Sequence, residues 1–167
     1  MYSICLILSG LAFFLNGFLP LIEENDNKEI VVMNVIAGII TTAISIIGIF
    51  VAVDVATVFQ YALLLLLGIT NLYIAAICIW DLSEQSLGWF SAMLVLISLA
   101  VGIYFIVIGN LLVGIYWLVI MFIWAAYFVS RALDVLQTAS SWVIMLEGAL
   151  ALVLVGLLTL TQFITIS

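Results

Sequence analysis

LGWFSAMLVLISLAVGIYFIVIGNLLVGIYWLVIMFIWAAYFVSRAL, residues 87–133, carries no charged side chain before Arg131. A helix crosses the hydrocarbon core of a bilayer in about 20 residues. The stretch is therefore too long for one span and too apolar to face water. Its only breakers are glycines and Asn110, and the pair Gly109–Asn110 suits a tight turn between two helices. This places a fourth span at about Leu87–Gly109 and a fifth at about Leu111–Leu133. The same reading gives a first span at Tyr2–Ile22, with Pro20 near its end as a helix boundary. A second covers Ile30–Val53, a third Thr57–Trp80, and a sixth Trp142–Ile166 after a polar link from Asp134 to Ser141. EENDNKE (Glu23–Glu29) holds five of the eleven charged residues and belongs in water or among lipid headgroups. The expected fold class is an all-α membrane protein of six transmembrane helices, with residues 1–167 forming a single domain.

Composition agrees. Of 167 residues, 69% are hydrophobic and 7% are charged, against about 45–50% and about 25% in soluble domains. Two Lys+Arg residues cannot form a basic patch, so no nucleic-acid partner is expected. With no His and two Cys, a metal site or a His-based acid–base mechanism has almost no groups to draw on. No cofactor is implied. Cys5 and Cys78 lie in apolar runs and read as small buried hydrophobes. The N-terminal stretch lacks a basic region and a small-residue cleavage site, so it reads as a retained helix rather than a signal peptide. Lys28 lies in the first loop and Arg131 at the edge of the fifth, while the second and fourth loops have no cation. The positive-inside rule then puts the odd loops in the cytoplasm and both termini outside.

Polar residues inside the spans carry the functional question. Gly38, Thr41, Thr42, Ser45 and Gly48 on the second helix suit close helix packing. Asn16, Asn34 and Asn71 lie within or near the apolar band, and Glu147 about one turn inside the sixth helix. An intramembrane carboxylate costs a few kcal/mol by insertion scales and normally faces protein or a water-filled path. Either a solute pathway or an interhelix bond satisfies that demand. On the fifth helix, Trp117, Trp124, Tyr127 and Phe128 recur on one face. Trp124 is mid-span, where an indole N–H needs an acceptor. The stripe fits core packing or a narrow aromatic pore wall.

Several motifs occur together: LNG at 15–17, VMN at 32–34, GITNLYIAAI at 68–77, the Trp stripe, and WVIMLEGAL at 142–150. In that order, over essentially the whole chain, they resemble the AmiS/UreI family of bacterial urea channels and short-chain amide transporters. The resemblance implies a protomer of three helical hairpins twisted around its own pore, a homo-hexamer, and a place in the bacterial cytoplasmic membrane with both termini outside. It also implies service to a cytoplasmic urease or amidase. Pore positions of the family match Asn16, Tyr73, Trp117, Trp124 and Glu147, and Ile69 falls where the family often has Phe. Met121 and Phe128 stand where acid-gated members commonly have Trp. Acid-activated members carry a long His-bearing loop between the second and third helices. Here that loop is about Asp54–Ala56, and histidine, whose charge changes between pH 5 and 8, is absent. An ungated or weakly gated channel is expected.

The physics of such a pore is simple. Urea and acetamide are small, neutral and flat, and crossing a bilayer costs them their hydrogen bonds to water. Asn16, the Tyr73 hydroxyl, indole N–H groups and Glu147 would replace some of those bonds, and narrow apolar walls would reject hydrated ions. The main rival is a proton- or ion-coupled transporter working through Glu147, the one convincing intramembrane titratable group. A water or glycerol pore would need two Asn-Pro-Ala motifs, and Pro20 is the sole proline. An enzyme would need a nucleophile–base pair, which the spans lack. Composition leaves open a non-transporting assembly subunit.

Overall fold

A computed structural model describes residues 1–22 and 27–161. Within them are six helices long and apolar enough to cross a membrane. We number them α1 (Tyr2–Ile22, its last turn, Leu19–Ile22, tightened to 3₁₀), α2 (Asn27–Val51), α3 (Val55–Trp80), α4 (Glu84–Val107), α5 (Leu111–Ala132) and α6 (Gln137–Leu160). Part of the acidic stretch, residues 23–26, and the expected end of the sixth span, residues 162–166, lie outside the described residues.

Local chemistry sets the boundaries. At the link between α4 and α5, Gly109 has φ +88°, which favours glycine. Asn110 then caps α5 by accepting from the Val113 N–H. Asp54 caps α3, accepting from the Thr57 N–H (2.8 Å) and hydroxyl (2.6 Å). Those two bonds hold its carboxyl below the ordinary carboxylate value.

Several expected boundaries shift. α2 ends at Val51 rather than Val53, and α3 starts at Val55 rather than Thr57. α4 runs from Glu84 to Val107 rather than from Leu87 to Gly109. The largest correction is α6, which starts at Gln137, five residues before Trp142. Hydropathy cannot see this first turn because QTASS is polar, yet its backbone is helical. The Gln137 amide braces the turn by donating to the Ser130 carbonyl (2.7 Å) and the Asp134 carboxylate (2.8 Å).

Burial alternates along the chain. In the most apolar stretch of each helix, half the residues of α1 and α3 and 44% of those of α5 are buried, against 28% in α2, α4 and α6. The odd helices thus form the inside of the bundle and the even helices its outside. Each inner helix packs most closely on one outer helix, giving the pairs α2–α3, α4–α5 and α6–α1. The three pairs are therefore present, but the third joins the two ends of the chain. Without a hydrophobic force between helices in lipid, close backbone approach supplies the packing. A Cβ on Gly10 would lie 2.6 Å from the Gly148 carbonyl oxygen, and one on Gly114 2.8 Å from that of Gly102. Gly38, Thr42 and Gly48 meet Leu72, Gly68 and Tyr61 of α3 in the same way, as close packing requires.

Candidate functional site

Along the three inner helices runs a series of buried, neutral polar groups. Ser9 on α1 shares a hydrogen bond with Thr41 on α2 (3.2 Å) and accepts one from the Asn71 amide on α3 (3.3 Å). Asn16 on α1 and Asn34 on α2 exchange two side-chain bonds: Asn34 donates at 2.7 Å and Asn16 at 3.1 Å. The Trp124 indole donates to the Thr70 hydroxyl (3.1 Å), which donates in turn to the Leu66 carbonyl. That is the acceptor a mid-span indole needs. The phenyl ring of Phe13 lies against Tyr127, centroids 6.2 Å apart, and Phe59 meets both Phe105 and Trp117. The Trp117 N–H and the Asn71 carbonyl oxygen are buried with no protein partner. Groups of that kind cost free energy in a purely structural core, and they suit a path that presents donors and acceptors to a passing solute.

Where α1, α3 and α5 end, this line opens into a cavity of about 200 Å³. Asn16 and Tyr127 border it, with Ile74, Ile77 and Cys78 of α3. Its rim carries Glu84, the first residue of α4, and Arg131, in the π-helical turn Phe128–Ala132 that finishes α5. Their side chains form an ion pair.

The other expected site residues are placed differently. Tyr73 is half-buried and meets Phe90 of α4 edge-on at 5.4 Å. Phe128 is half-buried against Trp89, and Met121 is half-buried. Ile69 is 38% exposed. None of these four borders either cavity described here.

Glu147 borders a second, larger groove between α5 and α6, about 640 Å³, walled by Tyr116, Val119, Leu146 and Leu150 among other apolar residues. It lies ten residues after the start of α6, not one turn. At 1.5 Å per residue that is about 15 Å into the helix, beyond the first turn where a helix dipole helps a carboxylate. One carboxylate oxygen is buried without a partner. The nearby Tyr116 hydroxyl donates instead to the Ala151 carbonyl (3.0 Å). A π-helical segment, Glu147–Leu154, starts at this residue. Such segments are rare and occur often at functional sites.

Sequence reasoning did not single out Thr70, Glu84 and Arg131 as candidate site residues, and the structure brings them beside the others. Thr70 lay inside the GITNLYIAAI motif, and Arg131 is one of only two cations in the chain.

Six helices in inner–outer pairs, with neutral polar groups threaded along the inner three, define a multi-pass membrane transporter. The chain belongs to the AmiS/UreI family: the AmiS/UreI family transporter model matches residues 1–163. It is similar in structure to the urea channel of the human gastric pathogen Helicobacter pylori, with TM-score 0.83 and 22% identity over 99% of this chain and 100% of that one. No curated protein matches it.

Proposed function

We propose that the protein is a passive channel for urea and short-chain aliphatic amides. The observation that supports it is the chemistry of the inner line. Ser9, Asn16, Thr70, Asn71, Trp117, Trp124 and Tyr127 offer hydrogen bonds, and none of them carries a charge at neutral pH. A neutral planar amide can exchange its water bonds for such groups one at a time, while an ion finds no compensation for its hydration. The path passes Trp117 and Trp124 and leaves through the cavity at Asn16 and Tyr127. Tyr73, Met121, Phe128 and Ile69 lie outside this cavity. Glu147 stands beside this line, in the α5–α6 groove, which favours passive flux over proton coupling. The protomer works in a homo-hexamer of the bacterial cytoplasmic membrane, with termini outside, and feeds a cytoplasmic urease or amidase.

Swelling of liposomes containing the full chain tests this reading. Urea and acetamide are expected to enter faster than glycerol, with no added uptake when a pH gradient is imposed. With no histidine to titrate, flux is expected to stay within about twofold between pH 5 and 7.5. Uptake that requires the gradient would replace the channel with a coupled transporter. A steep acid switch that survives Glu147→Gln would remove the ungated reading.

A further inference from the structure

We propose that the Glu84–Arg131 pair at the cavity rim is a recognition site for neutral, dipolar amide solutes, which bridge the two charges as they leave Tyr127 and Asn16. The inference rests on the channel reading above. It starts from the contrast between the rim and the rest of the line, which is uncharged. Here two opposite charges from different elements, the start of α4 and the end of α5, meet over one cavity.

An amide matches that arrangement. Its carbonyl oxygen accepts from the guanidinium, and its N–H groups donate to the carboxylate, both as charge-assisted bonds. A monovalent ion finds one attraction and one repulsion. The pair can yield to a solute because it is wet: its side chains are 30% and 57% exposed, and exposed ion pairs are weak.

The cavity behind the rim supplies the partners just before it. Tyr127 is 3% exposed, and its hydroxyl lies beside the Asn16 side chain. Asn16 spends one amide hydrogen and one carbonyl lone pair on Asn34, which leaves one of each. The two bonds from Gln137 hold the α5–α6 link in place behind Arg131.

The test uses the full chain in liposomes, as wild type, Arg131→Gln, Glu84→Gln, and the exchange Glu84→Arg with Arg131→Glu. Each single variant is expected to lose urea flux roughly fivefold, about what one exposed charged bond is worth. Their ion sensitivity is expected to be opposite: methylammonium inhibits Arg131→Gln, acetate inhibits Glu84→Gln, and neither inhibits the wild type or the exchange. Cys78, in the same cavity, gives a readout independent of flux. In a Cys5→Ala background, urea is expected to slow its reaction with a small neutral thiol reagent, and each single variant to lose that protection. A pair that only ties α4 to α5 would leave protection intact and give both variants the same ion sensitivity. Either result overturns the site. Wild-type liposomes that pass no urea or amide would overturn the channel reading itself, whereas normal wild-type flux with unaltered single variants removes this site alone.

Discussion

The two cavities of this protein differ in chemistry as much as in size. The smaller, at the ends of α1, α3 and α5, is bordered by an amide, a phenol and an ion pair, and continues the buried polar groups of the inner helices. The larger, between α5 and α6, is walled by aliphatic and aromatic side chains around one carboxylate. Volume alone would choose the second as the functional site. The channel proposed above favours the first, because a solute that has left water needs a replacement bond at each step rather than empty space.

Filling each cavity in turn is the strongest way to break this contrast. Cys78→Trp narrows the smaller cavity and is expected to cut urea flux on the order of tenfold or more, with the oligomer intact. Leu150→Trp fills the larger groove and is expected to leave flux unchanged. The reverse result in paired swelling assays would move the path to the α5–α6 side.

Trp124 probes the line between core and pore. Trp124→Ala removes a fully buried ring and its bond to Thr70, a loss of about 3–5 kcal/mol by the standard of soluble cores. If the ring also walls the path, the acetamide-to-urea flux ratio rises in the same sample. Trp124→Phe keeps most of the volume and loses one interhelix bond, worth about 0.6 kcal/mol in a membrane protein. Thermal melting and flux on both variants separate the two roles; unchanged selectivity with lower stability would mark Trp124 as packing only.

A smaller effect of opposite sign is expected at Glu147. Its partnerless oxygen in an apolar groove is a cost, so Glu147→Leu is expected to raise stability by about 1–3 kcal/mol with flux little changed. Glu147→Gln is expected to conduct normally. A sharp flux loss in the leucine variant would bring the groove into the path. Loss of gradient-driven uptake in the glutamine variant would assign the carboxylate to proton coupling.

The smallest expected effect lies away from both cavities, at the cap of α3. The lowered pKa of Asp54 means that its bonds to Thr57 stabilise the fold while the carboxyl is ionised. That contribution is complete above the unfolded pKa and fades as pH falls through the lowered folded value. Asp54→Asn is expected to lower the melting temperature slightly at pH 7 and not at all in strong acid. A melting difference that persists in acid would assign the cap's value to shape rather than charge.

The sequence by itself determined that there are six spans and which family they form. Those properties follow from runs of apolar residues set against the thickness of a bilayer, and from motifs in fixed order. It also marked Asn16, Asn34, Asn71, Trp124 and Tyr127, because polar and indole groups are costly in hydrocarbon wherever they point. Only the tertiary structure decided which helices are inner, since all six are nearly equally hydrophobic and a lipid-facing leucine resembles a core leucine. It paired α6 with α1 across the whole length of the chain through Gly10 and Gly148. It moved the start of α6 back to Gln137, and so carried Glu147 from a helix mouth into the middle of a groove. And it brought Glu84 to Arg131, because residues 47 positions apart become neighbours only when α4 and α5 fold back on each other at Gly109.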